Sequence, residues 1–162
     1  MPVDEMRGKI RNPKYSLQVH DFSGLRWGKI TPTNIDGFVE FGGRVFVFIE
    51  TKFAGAELPA GQRLALERLC DAVEDGNKYA LAVVAEHECE VGMEIDAAAL
   101  PVHEIRWRRK WRTKHSFGTL RELVDSFRKF ADHDAWIAAY EREQQQAPLS
   151  GCNDGTICPR PA

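Results

Sequence analysis

Glu50-Thr51-Lys52 closes an apolar run, Val45-Phe46-Val47-Phe48-Ile49, and puts an acid and a base two residues apart. Strand side chains alternate between faces, so Glu50 and Lys52 share one with Phe46 and Phe48. Charges leaving an apolar face are either paired with each other or held for a ligand, because burying an unpaired charge is costly. Asp36 opens the preceding strand, and a hairpin carries it back towards Glu50. Two carboxylates beside an ammonium suit a hard divalent cation and a phosphodiester. The oxygens hold Mg²⁺ or Mn²⁺, and the ion neutralises charge developing on phosphate. The ammonium orients or deprotonates an attacking water and stabilises the same charge. Taken alone, Glu50 and Lys52 read equally as an ion pair at a frayed strand end, worth about 0–1 kcal/mol.

The elements that must position these residues follow from periodicity. Ile35–Phe41 and Val45–Glu50 read as strands around Gly42-Gly43, a strong hairpin signal. The second strand is apolar at every position up to Ile49, which predicts cover on both its faces. Pro59-Ala60-Gly61 leads into a helix that ends near Gly76, with Leu66, Leu69, Cys70 and Val73 at helical spacing. Gln62 heads that face, four residues before Leu66. Tyr79–Ala85 reads as a second buried strand and Val102–Trp107 as another. Phe117–Ala131 forms an amphipathic helix through Leu120, Leu123, Val124, Phe127 and Phe130, and Asp134–Gln145 a last one. Strands, helix and strand in that order predict an α/β fold, a mixed central sheet with flanking helices.

Strand parity sets a condition on the site. With a plain two-residue Gly42-Gly43 turn, Phe41 pairs with Arg44 and Asp36 with Ile49. Residues directly opposite share a face, so Asp36 and Glu50 would then point to opposite sides of the sheet. A shared ion therefore requires an odd shift: a three-residue Gly42-Gly43-Arg44 loop, or a β-bulge, for which Gly37 is the natural position.

Asp36, a hairpin, Glu50-Thr51-Lys52, a helix led by Gly61-Gln62 and a following buried strand together resemble the PD-(D/E)xK nuclease superfamily. The likeness is to its small RecB-like and Holliday-junction-resolvase-like members, with a phage-type gene in keeping. It spans about residues 30–85, and Ile35 stands where the family name has Pro. The resemblance implies a restriction-endonuclease-like core of αβββαβ order and metal-dependent hydrolysis of DNA. By that resemblance Asp36 and Glu50 are metal ligands, the Thr51 carbonyl a third, Lys52 the catalytic base or charge stabiliser, and Gln62 a site-lining residue. A further acid from the first helix would be Asp21 or Glu5.

The 162 residues carry 22 Lys+Arg against 24 Asp+Glu, with 43% apolar residues, the composition of an ordinary globular chain. That excludes collagen, coiled coil and disorder throughout. With no apolar run of membrane length and no signal-like start, the expected location is cytoplasmic, without a membrane partner. The expected organisation is a single domain over residues 1–146, then a flexible Gly/Pro-rich tail over 147–162. The near-neutral total hides six bases against one acid between His103 and His115. Arg106, Arg108, Arg109, Lys110, Arg112 and Lys114, interleaved with Trp107 and Trp111, suit phosphate contact and base stacking as well as a solvated face. Arg26 and Lys29 beside Trp27 are a second expected phosphate contact. Cys70, Cys89, Cys152 and Cys158 make no disulfide scaffold or zinc spacing, and the five histidines no metal-ligand spacing. The rival reading is a non-catalytic DNA-binding or regulatory module on the nuclease fold. Oligomeric state is open, a homodimer included.

Overall fold

Val45-Phe46-Val47-Phe48-Ile49 has no polar position, and the sheet is arranged around it. The computed structural model describes residues 24–146, with side chains to residue 134. The chain divides into two compact units, Met1–Asn34 and Ile35–Ala162. In the first, Trp27 and Ile30 exchange N–H···O bonds of 2.9 and 3.0 Å. The second holds β1 (Gly37–Phe41), β2 (Val45–Phe53), α1 (Ala60–Asp75), β3 (Tyr79–His87), a 3₁₀ turn (Ala97–Ala99), β4 (Val102–Trp107), β5 (Lys110–Arg112) and α2 (Leu120–Gln146). The fold is α/β, a five-stranded mixed open sheet in the order β1-β2-β3-β4-β5. Only β2 and β3 run parallel, joined by the crossover helix α1.

Both faces of β2 are covered, as its apolar run requires. Val45, Val47, Leu81, Val83 and Ile105 pack on Leu120, Leu123, Phe127 and Ala131 of α2. On the other face Phe48, Ala80, Ala82 and Val84 pack on Leu66 and Cys70 of α1. Within α1, Leu69 falls outside the expected stripe and is 37% exposed, while Leu66, Cys70 and Val73 face the sheet. Burial pushes the Cys70 thiol up to about 11, in keeping with an inert structural cysteine. Leu66→Ala, which removes a side chain 2% exposed at the centre of this layer, should cost about 2–5 kcal/mol in a urea unfolding series.

Two elements differ from the sequence expectation. The last two helices are one, a 27-residue α2. Asp132 and His133, where a break was placed, neither remove a backbone donor nor free φ, so the helix runs on. Its start lies at a capping box: Glu122 N–H donates to Thr119 Oγ1 and Thr119 N–H to Glu122 Oε2, each at 3.2 Å. The basic run, expected as a join between strand and helix, is the β4–β5 hairpin. Its turn is Arg108-Arg109, at φ 48° and 61°. Both residues are left-handed, the geometry that Asn-Gly normally announces and Arg-Arg does not. Among the described residues, no helix is long and apolar enough to cross a membrane.

Candidate active site

The hairpin that carries Asp36 and Glu50 has the odd shift that parity demands. The ladder pairs Phe41 with Val45, Val39 with Val47 and Gly37 with Ile49, leaving a three-residue Gly42-Gly43-Arg44 loop. Gly42 and Gly43 take φ 59° and 67°, and Arg44 N–H closes on the Phe41 carbonyl at 3.2 Å. Left-handed φ at two successive positions is what glycine supplies without a steric penalty. The other expected device, a bulge at Gly37, is not used. Gly37 pairs regularly, and a Cβ there would sit 3.3 Å from the Ile49 Cβ. Asp36 is the bend residue just before Gly37, one step beyond that pair and outside the ladder. The exposed Asp36 is held there by Thr51, whose N–H and Oγ1 both donate to Asp36 Oδ2, at 2.8 and 2.9 Å.

Glu50 is the buried centre of the site, 0% exposed. Its Oε2 accepts from Lys52 Nζ at 3.3 Å and from Gln62 Nε2 at 3.4 Å. Lys52 Nζ also donates to Gln62 Oε1 at 3.0 Å, closing a triangle between the end of β2 and the first turn of α1. Glu50 Oε1 is buried without a hydrogen-bond partner. Burial first, then the charge of Asp36, hold the Glu50 carboxyl above its ordinary value; the hydrogen bond and charge of Lys52 oppose them. His87 Nδ1, Arg106 Nε and Nη1 and both His115 ring nitrogens are likewise buried without a protein partner, so the bare oxygen gains its interest from its position beside Lys52 and Gln62. Among the described residues, no group of three or more His, Cys, Asp and Glu is placed to hold a metal ion. Glu5 and Asp21, the candidates for a further acid, lie outside the described residues.

The neighbouring Arg63–Glu104 pair was not anticipated. Register carries Glu50 to Val84 on β3 and Val84 to Glu104 on β4, so all three share one level of the α1 face. Arg63, next to Gln62, holds both Glu104 oxygens with Nη1 and Nη2, at 3.2 and 2.7 Å. Its guanidinium also lies 4.4 Å from the Trp111 ring centroid. The pair borders an open cavity of about 470 Å³ with Glu86, His103 and Thr113. The available sequence signal was the Gln62-Arg63 dyad at a helix start, but its partner is a β4 residue far along the chain.

The basic run is placed differently from the triangle. Arg106 is 3% exposed, and its guanidinium is bonded to Asp71 between β4 and α1. Arg109 is bonded to Asp75, and Arg108 N–H donates to Glu74 Oε1 at 3.2 Å. Arg112 Nη1 donates to the Trp107 carbonyl at 2.8 Å, while Lys110 and Lys114 are exposed. Trp107 is enclosed by Phe127 and Phe130 with Arg108 over its ring, and Trp111 Nε1 donates to Glu67 Oε1 at 2.7 Å. Acids of α1 thus neutralise much of the hairpin. Its Arg108-Arg109 turn lies at the Tyr79–Val45 end of the sheet, and Glu50 five residues further along β2. Arg26 and Lys29 belong to the first unit, where both are exposed and Arg26 Nε donates to the Gly28 carbonyl at 3.1 Å. Cys152 and Cys158 and the expected tail lie outside the described residues. Set against family models, curated proteins and solved structures, the chain finds no match in any of the three.

Proposed function

We propose that this protein is a metal-dependent nuclease of the PD-(D/E)xK type that hydrolyses DNA phosphodiester bonds. The reading rests on one observation: a fully buried glutamate with one oxygen held by Lys52 and Gln62 and the other bare, within reach of the charge of Asp36, which Thr51 holds. The α1 crossover between β2 and β3 supports a restriction-endonuclease-like core. The helix and strand that such a core sets before its Asp-bearing strand would precede Gly37, where residues 24–36 hold only the Trp27–Ile30 bridge.

The donor set fits a hard cation, since a buried carboxylate oxygen without a partner and a second carboxylate whose charge reaches it are oxygen ligands of the right chemistry. Asp36 and Glu50 would hold Mg²⁺ or Mn²⁺, with the Thr51 carbonyl as the family's further ligand. The ion, when bound, supplies Lewis acidity at a phosphate oxygen and a lowered pKa for water. Thr51 fixes the rotamer of Asp36, so that carboxylate does not have to be ordered on binding. Gln62 accepts from Lys52 and holds its ammonium beside Glu50. There it can orient an attacking water, take up its proton once itself neutral, or offset phosphate charge. Cleavage of a panel of single-stranded, duplex, flapped and branched DNAs tests the reading. It should need Mg²⁺ or Mn²⁺, and undiminished cleavage in EDTA refutes the metal mechanism.

The rival, a non-catalytic DNA-binding module, gains from the convergence of two carboxylates rather than three among the described residues. In either case the phosphate contacts of the hairpin fall to Arg108, Lys110 and Arg112. Arg108→Ala and Lys110→Ala should each reduce the salt slope of DNA binding by about one. Arg106→Ala should instead lower stability, because it empties a buried site between β4 and α1 and leaves Asp71 only the exposed Arg109, at 3.9 Å. An unchanged slope in the first two variants would leave this hairpin a solvated face.

A further inference from the structure

Phe38 is 56% exposed, an unusual place for a large ring on a sheet-edge strand, which proteins more often blunt with charge. It is not loose. Its ring stacks on Phe48 with centroids 5.4 Å apart and planes at 30°, and tilts against Phe46 at 6.2 Å. Helix α1 covers Phe48 and the even positions of β3 on this face. Phe38, one strand further out, keeps its outer ring surface open. It stands two residues after Asp36 and, paired with Phe48, two positions along β2 from Glu50. One cation touches the aromatic patch, Lys78, 5.5 Å from the Phe46 ring centroid; Lys52 lies beyond Glu50 and is tied to Glu50 and Gln62. Two acids lie two residues either side of Phe38: Glu40, turned back onto the Gly43 N–H, and Asp36, held by Thr51.

We infer that Phe38 is a stacking platform for an unpaired base next to the bond that is cut, so that the substrate is DNA with single-stranded nucleotides at that point. The inference rests on the nuclease reading for the cut itself, but the platform has its own observations. A flat ring, rigidly backed by a second ring and open on its outer side beside the candidate site, complements the face of an unpaired base. Stacking accepts any base, because each has a π face, and a base still paired in a duplex cannot present it. The alternative occupant, a second copy seated along β1, would bury the ring against protein instead.

Phe38→Ala, Phe38→Trp and the unaltered protein separate these cases. With oligo-dT and Mg²⁺, Phe38→Ala should raise KM about 5- to 150-fold with kcat much less changed. Stacking of one base is worth ~1–3 kcal/mol, and it is present before and during the reaction. Phe38→Trp should restore KM. In Ca²⁺, its fluorescence should be quenched by oligo-dT beyond that of the unaltered protein, and far less by a blunt hairpin duplex. Cleavage by the unaltered protein with no added quench and an unchanged KM in Phe38→Ala would overturn the platform and leave the nuclease standing. Quench without cleavage in any variant would keep the platform and overturn the nuclease. A homodimer that dissociates in Phe38→Ala, measured by light scattering, would assign the ring to a protein contact and overturn the inference.

Discussion

Glu50→Gln is expected to lose cleavage by on the order of 10³-fold while raising the melting temperature in metal-free buffer near pH 8. The two effects have one cause. Burial and the charge of Asp36 keep the Glu50 carboxyl above its ordinary value, so the folded protein prefers it protonated. The stability that goes with the protonated form is complete below the ordinary carboxylate range, and is lost as pH rises through the raised folded value. Above that raised value the native protein carries an ionised, half-partnered carboxylate, and the neutral amide of Gln removes that cost. Lys52 keeps Gln62 as its acceptor in the variant. A gain of about 1 kcal/mol would read as roughly 2–4 °C. Near pH 4 the two proteins should melt together. Added Mg²⁺ should reverse the order, stabilising the native protein and not the variant. A variant that melts well below the native protein at pH 8 would make Glu50 a structural ion-pair partner, and unchanged turnover would end the nuclease proposal.

Lys52→Ala is expected to lower cleavage by about 10²–10⁴-fold and, unlike Glu50→Gln, to destabilise the fold at neutral pH. Removing the ammonium deletes the group that opposes the upward push on Glu50, so the carboxylate is left with Gln62 alone. The loss should vanish at pH 4, where Glu50 is neutral in either protein, and grow as pH rises through its raised folded value. Combining Lys52→Ala with Glu50→Gln should recover most of the lost stability but none of the activity, a coupling that a double-mutant cycle measures directly. Lys52→Arg keeps the charge but not a titratable amine. Its activity separates a charge-stabilising Lys52 (substantial turnover) from a proton-accepting one (turnover as low as in the alanine variant).

Much of this site was legible in one dimension because strand and helix periods are local. An apolar run ending in Glu-x-Lys places two charges on a known face, and a Gln four residues before a buried Leu heads the face that packs on it; both hold in the structure. Parity also told which hairpins would work, although not which of two devices would be used. The three-residue loop prevailed over a bulge because Gly42 and Gly43 supply the left-handed turn while Gly37 is occupied by the close approach of Ile49.

Long-range pairing was not legible. Arg106, Arg108 and Arg109 read as a solvent-facing basic stripe because only Glu104 opposes six bases in that run. Their partners Asp71, Glu74 and Asp75 come from a helix more than thirty residues earlier, and only the sheet order brings that helix under β4. The exposure of Phe38 likewise depends on how far α1 reaches across the sheet, a matter of helix packing rather than of strand pattern. By itself the sequence determined the sheet strands around the site, the face that each charge takes and the chemistry those charges suit, since these depend on backbone geometry and neighbours in the chain. Only the tertiary structure decided which charges are neutralised, which carboxylate oxygen is buried without a partner and which ring stays open, because desolvation and ion pairing are set by atoms brought together across the fold.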